Sequence, residues 1–184
     1  MTSISPPPNK VWWNEPIERS ELIWISIVFV WGIIMTIMMP YWHVVGKQNL
    51  STETYRVTPA RFMEKAQANV DQYQVGTYGP RNFPLVHPPA GGDVYMVSRL
   101  WDWWPVLELE KGQTYRVHLS SMDWQHGFSL QPANINIQVV PQYEHVVSLT
   151  PDEVGEYSVI CNEYCGIGHH LMIGKIIVVE KGTP

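Results

Sequence analysis

The sequence predicts an all-β domain that is tethered to a membrane by one N-terminal α-helix. Two observations predict this organisation: an uncharged apolar run near the N-terminus, and short alternating segments separated by turn residues from residue 93 onward. At 184 residues, the chain is long enough for one such domain with an appendage. The predicted parts are an N-terminal segment (1–21), a transmembrane helix (22–46), a short helix with a linker (47–92) and the β domain (93–184).

The apolar run covers residues 22–46 and contains no Asp, Glu, Lys or Arg. It is long enough to cross a bilayer, because about 20 helical residues span the hydrocarbon core. A cleavable signal peptide is the alternative, but its apolar region has only about 7–15 residues and ends at a small-residue cleavage site. Residues 40–43 are Pro-Tyr-Trp-His instead, so we predict a retained anchor. The charges flanking the run do not favour a cytoplasmic N-terminus.

Residues 47–92 are predicted to form a short amphipathic helix followed by a linker. Thr58 before Pro59 is typical of an N-cap with proline at the first helical position, and apolar side chains then repeat at helical spacing as far as Gly76. Residues 76–92 are rich in glycine and proline, which predicts a loop outside the core.

From residue 93 the pattern changes to short strands. Tyr115, Val117 and Leu119 alternate with polar residues, and later segments repeat this alternation between glycines and prolines. Short strands spaced by about 8–12 residues are typical of a β-sandwich or barrel. On this pattern, His118 is predicted to lie on the polar, exposed face of its strand.

Composition excludes some functions. A net charge of −5 argues against nucleic-acid binding, since contact with phosphates needs a basic surface. Charged residues are sparse at 16%, while aromatic residues reach 12% and include nine tryptophans, which indicates a membrane or a large partner. The chain's two cysteines cannot make a disulfide framework, although one disulfide between Cys161 and Cys165 remains an alternative.

The strongest chemical signal is the motif Cys161-x3-Cys165-x3-His169-x2-Met172. Thiolate, imidazole and thioether are ligands that suit copper, and one Cys with His and a distant Met is typical of mononuclear electron-transfer sites. Here a second thiolate lies on the same loop, and two thiolates can bridge two copper ions. A second imidazole must come from elsewhere, and His126 is the best candidate.

With this histidine included, the sequence resembles subunit II of the haem–copper cytochrome c oxidases, which carries the dinuclear CuA centre. The resemblance rests on the Cys/His/Met motif and on Asp123-x2-His126-Gly127-Phe128, and it covers roughly residues 93–180. With one membrane segment instead of two, the chain looks like the short form found in some prokaryotic B-type oxidases.

The resemblance implies a cupredoxin-like Greek-key barrel and a set of copper ligands. The implied ligands are the bridging thiolates of Cys161 and Cys165, the imidazoles of His126 and His169, the thioether of Met172 and the main-chain carbonyl of Glu163. The family spacing selects His169 over its neighbour His170. In related chains, an acidic side chain at the Glu163 position can help bind a magnesium ion against the neighbouring subunit. Asp123 is predicted to orient the His126 loop through a hydrogen bond, with a turn-forming role as the alternative.

The aromatic segment 97–105 resembles the stretch through which this family receives electrons from cytochrome c. Trp101 matches the electron-accepting position best, and Trp103 comes next; the alternative is that both only pack on the core. Six acidic residues are candidates for steering a basic cytochrome c, with an ordinary solvated surface as the alternative: Asp102, Glu108, Glu110, Asp152, Glu153 and Glu156.

Together these expectations describe an electron-transfer subunit of a terminal oxidase. It would accept electrons from cytochrome c and pass them to haem in a separate catalytic subunit, where O2 is reduced to water; the chain has no O2 site of its own. The resemblance implies a prokaryotic inner membrane, with the β domain on the periplasmic side. The alternatives are a subunit of a copper-containing nitric oxide reductase, a membrane-anchored copper-delivery protein, and a structural β domain with one disulfide.

Overall fold

The computed structural model describes residues 16–46 and 52–182, which belong to two compact units divided at residues 49 and 50. Most of the predicted N-terminal segment and the junction at residues 47–51 lie outside the described residues. Each unit is described below by itself.

The first unit is the helix α1 (Arg19–Val45), which begins three residues earlier than the predicted span. A capping box explains the early start, because the side chains of Glu18 and Glu21 each bond to the other residue's backbone N–H. Inside the helix, the hydroxyl groups of Ser26 and Thr36 donate to the carbonyls four residues earlier, at 2.7 Å in both cases. With 27 residues and a length of about 40 Å, α1 is long and apolar enough to cross a membrane.

The second unit consists of short strands and one helix. In chain order the elements are β1 (Thr52–Arg56), α2 (Pro59–Tyr73), β2 (Gln74–Tyr78), β3 (Phe83–Val86), β4 (Asp93–Arg99), β5 (Asp102–Trp104), β6 (Val106–Glu110), β7 (Tyr115–Ser121), β8 (His126–Leu130), β9 (Ile135–Val139), β10 (Tyr143–Leu149), β11 (Gly155–Cys161) and β12 (Ile173–Val179). The prediction of an all-β domain built from short strands is confirmed.

The strands form two sheets that enclose one apolar core. One sheet has the order β1-β10-β7-β4-β5, and the other has the order β2-β3-β6-β12-β11-β8-β9. Most pairs are antiparallel, whereas β4 with β7, β6 with β12 and β3 with β6 are parallel. Large side chains such as Met96, Leu107, Leu119 and Phe128 fill the core and are almost completely buried.

The helix α2 confirms the prediction that Thr58 is the N-cap and that Pro59 is the first helical residue. The Thr58 hydroxyl accepts a hydrogen bond from the backbone N–H of Arg61 at 3.3 Å. Phe62, Ala66 and Val70 are buried, and the helix packs against β4 and β7 of one sheet and β2 and β3 of the other.

The prediction that residues 76–92 form only a loop is wrong. The segment carries most of β2 and all of β3, a hairpin that extends the seven-stranded sheet. Gly79 and Pro84 lie at positions where they do not destabilise the hairpin. Gly79 takes a positive φ of 71° in the turn, and Pro84 precedes the two residues that pair with β6.

The prediction that His118 is exposed is also wrong, because α2 packs against β7 and every residue of the strand from Val117 to Ser121 is buried. The His118 side chain is 5% exposed. Its Nδ1 lies 2.6 Å from Glu144 Oε1, and its Nε2 lies 3.2 Å from Asp93 Oδ1. Lys65 of α2 donates to the other Glu144 oxygen at 2.9 Å. A buried carboxylate thus joins α2 to the sheet.

We expect Glu144→Gln to lower the free energy of unfolding by about 2 kcal/mol, because a buried amide cannot replace the charge-assisted bonds that the carboxylate makes with Lys65 and His118. Urea denaturation of the full chain in detergent, followed by tryptophan fluorescence, measures this change. The matched control is Glu64→Gln, which breaks an exposed ion pair with Arg61 and should cost less than about 1 kcal/mol. Equal effects of the two substitutions would contradict the assignment.

Candidate metal centre

Two separate parts of the chain meet at one end of the domain because β11 pairs antiparallel with β8. Cys161 at the end of β11 lies opposite Phe128, so His126 at the start of β8 is brought beside the loop that follows Cys161. That loop contains Cys165 and a short 3₁₀ turn, His169–Leu171, before it enters β12. The strand pairing therefore places all the sequence-predicted ligand groups in one region.

The candidate ligand atoms form a continuous cluster. Cys161 Sγ lies 3.8 Å from Cys165 Sγ, 3.8 Å from His126 Nδ1 and 3.3 Å from the carbonyl oxygen of Glu163. Cys165 Sγ lies 3.6 Å from His169 Nδ1 and 3.8 Å from Met172 Sδ. Each sulfur is thus accompanied by one imidazole nitrogen and one weaker donor.

The two imidazoles differ in their exposure to solvent. The side chains of His126 and Met172 are 0% exposed, and both cysteines are buried, whereas His169 is partly exposed. Among the described residues, His126, Cys161 and Cys165 form a cluster whose ligand atoms all lie within 4.8 Å of one another. The cluster is closed to solvent on the His126 side and opens toward it on the His169 side.

The donor set fits copper. The two sulfurs are not bonded, because a disulfide would bring them to about 2.05 Å. Two sulfurs that each lie about 2.3 Å from one tetrahedral metal are separated by about 3.8 Å, which is the spacing seen here. Thiolate, imidazole and thioether donors together favour copper over the hard cations.

Burial raises the pKa of the Cys165 thiol to about 12, and the hydrogen bond with Cys161, the charge of Cys161 and the charge of Asp123 act in the same direction. Without a cation, this thiol therefore keeps its proton at neutral pH. A bound metal ion would supply the positive charge that the thiolate needs.

Asp123 fixes the tautomer of His126. Its Oδ1 lies 2.8 Å from His126 Nε2, and an ionised carboxylate only accepts, so the Nε2 of His126 carries the proton. Burial raises the pKa of Asp123, but hydrogen bonds from His126 and from the backbone N–H groups of Trp124 and Leu100 lower it by more, and the net pKa is lowered. His126 Nδ1, the nitrogen on the other side of the ring, faces Cys161 Sγ.

The Glu163 side chain points away from the sulfurs. Its Oε1 accepts a hydrogen bond from Gln138 Nε2 of β9 at 3.1 Å, on the exposed edge of the seven-stranded sheet. Only the main-chain carbonyl of Glu163 faces the cluster.

The two candidate tryptophans occupy different environments. Trp101 is 37% exposed, and its ring lies over the backbone of Gly166 and Gly168 in the ligand loop, where a Cβ on Gly168 would overlap the ring. Trp103 is 1% exposed and packs edge-on against the rings of His126 and Phe128, at centroid distances of 6.4 and 5.5 Å. Of the two, only Trp101 can touch a partner.

The loops around the cluster expose several large apolar side chains. Exposed aromatic and aliphatic side chains in the loops at this end are Trp101, Trp124, Tyr164, Ile167 and Leu171. Sequence reasoning singled out only Trp101 and missed the other four, because apolar residues in a loop have no periodicity that separates exposed from buried positions.

The six candidate acidic residues are spread over both ends of the β domain. Glu110 and Glu156 lie beside the C-terminal half of β12, and Asp152 and Glu153 precede β11 at the same end, about 20 Å of strand from the cluster. The other two acids are engaged, Asp102 with Arg81 and Glu108 with His87. Four of the six candidate acids thus lie at the end of the domain opposite the cluster, and their role in steering stays a prediction.

Comparisons with known proteins identify similar chains. No family model matches. Cytochrome c oxidase subunit 2 of Thermus thermophilus is 32% identical over 132 residues, which cover 71% of this chain and 98% of that protein. Probable cytochrome c oxidase subunit 2 of Streptomyces avermitilis is 34% identical over 123 residues, which cover 66% of this chain and 34% of that protein.

A solved structure shares the fold. One chain of a heme-copper terminal oxidase dimer aligns with a TM-score of 0.56 at 21% identity, covering 88% of this chain and 100% of that chain. The predicted fold class, a cupredoxin-like β domain with one N-terminal apolar helix, is confirmed.

Proposed function

The chain belongs to the cytochrome c oxidase subunit 2 family, and from this premise we propose that it is the electron-accepting subunit of a terminal respiratory oxidase. It would take electrons one at a time from cytochrome c at a dinuclear CuA centre and pass them to haem in the catalytic subunit, which reduces O2 to water. The observation that supports this most directly is the meeting of two sulfurs, two imidazoles, a thioether and a carbonyl in one cluster, with contacts of 3.3–3.8 Å.

Six residues would hold the copper ions: Cys161 and Cys165 as bridging thiolates, His126 and His169 through Nδ1, Met172 through Sδ and Glu163 through its carbonyl. When bound, the copper pair supplies a one-electron carrier whose charge is shared between two metals and two sulfurs. The chain's own part is to hold these donors still in both oxidation states. The β8–β11 ladder fixes Cys161 relative to His126, and Asp123 fixes the His126 ring.

Electrons would arrive through Trp101. Its exposed edge lies within the apolar surface, and its ring touches the backbone of the loop that carries Cys165 and His169. Trp103 is excluded as the contact residue because it is buried, and it serves as the packing support of His126. We propose that cytochrome c docks on this apolar surface.

The exposed edge at β9 is the proposed contact with the catalytic subunit. There the Glu163 carboxylate accepts from Gln138, and Asn162 donates to Asn136 at 2.9 Å, so oxygen atoms suited to a hard cation lie at the surface. A magnesium ion held jointly with the neighbouring subunit is proposed here through Glu163. We also propose that α1 anchors the chain in a prokaryotic inner membrane, with the β domain on the periplasmic side.

A copper-delivery function is less well supported, because a protein that exchanges copper needs accessible ligands. Here His126 and Met172 are completely buried. A subunit of a copper-containing nitric oxide reductase would use the same ligand set. The gas consumed by the purified complex, O2 or nitric oxide, separates this alternative from an oxidase.

Copper analysis and electron paramagnetic resonance of the full chain in detergent test the proposal. We expect two copper ions per chain and a seven-line hyperfine pattern, because one unpaired electron is shared equally by two copper nuclei. A single copper with a four-line pattern, or no stable binding, would overturn the dinuclear assignment.

Copper binding should release protons and weaken at acid pH. Because the Cys165 pKa of about 12 lies far above neutrality, copper must displace at least this thiol proton. The apparent copper affinity should therefore rise by about tenfold per pH unit between pH 6 and 8 for each proton released. Titration against a competing chelator at three pH values measures the slope, and a slope of zero would show that no proton leaves.

A further inference from the structure

The Asp123 carboxylate joins two parts of the chain that are distant in sequence. Its Oδ1 accepts from His126 Nε2 at 2.8 Å and from the backbone N–H of Trp124 at 2.6 Å. Its Oδ2 accepts from the backbone N–H of Leu100 at 2.7 Å. Leu100 directly precedes Trp101, so one carboxylate touches both the buried candidate ligand and the turn that carries the exposed tryptophan.

The Leu100–Trp101 turn has few other polar supports. It connects β4 to β5, where Arg99 pairs with Asp102, and Asp102 forms an ion pair with Arg81. The ring of Trp101 itself rests on the glycines of the ligand loop. Before the turn, Ser98 accepts from the backbone N–H of Met122 at 3.0 Å. For Leu100 and Trp101 themselves, the bond from Leu100 to Asp123 is the polar contact with the segment carrying His126 among those seen in the described residues.

We infer that Asp123 is a positioning residue that sets the separation between Trp101 and the metal centre. One oxygen orients His126 and the other holds the turn, so neither can shift without disturbing the other. This inference rests on the proposed function, in which Trp101 admits electrons. The positioning by Asp123 should therefore affect the rate of electron transfer, because this rate falls steeply as the separation between donor and acceptor increases.

Two substitutions of Asp123 test the contacts of its carboxylate with His126 and Leu100. Asp123→Ala removes both acceptors. Asp123→Asn keeps one acceptor oxygen, while its amide nitrogen cannot accept from His126 Nε2, so only one side of the link can persist. Asp71→Asn is the control, since it removes an exposed carboxylate on α2 that bonds only to Gln67 among the contacts found in the described residues.

The first measurement needs no copper. Fluorine NMR of the metal-free full chain in detergent, labelled with 5-fluorotryptophan, reports the environment of each indole, and Trp101→Phe assigns the Trp101 resonance. We expect this resonance to shift or broaden in Asp123→Ala and to stay unchanged in Asp71→Asn. An unchanged Trp101 resonance in Asp123→Ala and in Asp123→Asn would overturn the inference. If Asp123→Ala does not fold, Asp123→Leu carries the test, because leucine has nearly the shape of aspartate and removes both acceptors.

The second measurement uses the copper-loaded chain and reduced cytochrome c. We expect Asp123→Ala to slow electron uptake at saturating donor by about tenfold or more. The double variant with Trp101→Phe should be no slower than Trp101→Phe alone, because both changes act on the same step. Additive effects of the two substitutions would overturn the inference. A change only in the donor concentration at half-saturation would overturn it too, because it would mean that the Asp123 charge acts in docking cytochrome c.

The two measurements also separate this inference from the proposed function. A wild-type chain that binds no copper would refute the proposed function, and the fluorine experiment would still decide whether Asp123 holds the Trp101 turn. A copper-loaded chain with normal spectra but an unshifted Trp101 resonance in both Asp123 variants would refute only the positioning role.

Discussion

Replacing Cys165 with serine should abolish the dinuclear centre. Cys165 Sγ lies in the middle of the cluster, within 3.6–3.8 Å of Cys161 Sγ, His169 Nδ1 and Met172 Sδ. A serine hydroxyl is a hard donor that stays protonated at neutral pH, so it cannot bridge two coppers as a thiolate does. We expect Cys165→Ser to bind at most one copper ion and to lose the seven-line spectrum.

Met172→Leu is the matched comparison, because the Met172 side chain is buried in the same cluster and its sulfur contacts only Cys165 among the candidate ligand atoms described. This variant should keep two copper ions and change only the reduction potential. Circular dichroism of both metal-free variants confirms that the β domain is retained. An unaltered copper spectrum in Cys165→Ser would show that the bridging assignment is wrong.

The ligand loop was predictable because four donors lie within twelve residues of sequence. His126 required more, since it is 35 residues from Cys161 and reaches the cluster only through the β8–β11 pairing. The motif Asp123-x2-His126-Gly127-Phe128 identified His126 as a ligand. Strand periodicity alone does not reveal which strands pair. The bond from Asp123 to Leu100 had no such signal, because a contact between a side chain and a distant backbone N–H leaves no pattern in the sequence.

The errors have a common origin in packing between distant elements. His118 alternates as an exposed residue should, but α2 packs against β7, and the outward-facing side chains of His118 and Ser120 are buried. The acidic residues were judged by charge alone, and strand direction decides that four of them lie at the end opposite the cluster. Periodicity identifies the two faces of a strand, but it does not say which neighbours cover them.

Gly127→Ala should damage the centre without removing any ligand. A Cβ at Gly127 would lie 2.9 Å from the backbone nitrogen of Glu163 and 2.8 Å from its Cγ, and it would overlap the side-chain oxygen of Asn162. The backbone contact cannot be relieved by turning a side chain, so β8 and the loop between the two cysteines must separate. Because β8 begins with His126, that movement pulls the imidazole away from Cys161.

We expect Gly127→Ala to weaken copper binding by about 10–100-fold, the range found when the supports of a metal ligand are disturbed. Competition with a chelator measures the loss. The control is Gly76→Ala in β2, where a Cβ would meet no atom within 4 Å and should leave copper binding unchanged. Wild-type affinity in Gly127→Ala would mean that the loop can shift without moving its donors. The close approach of β8 to the loop would then not be what holds His126 against Cys161.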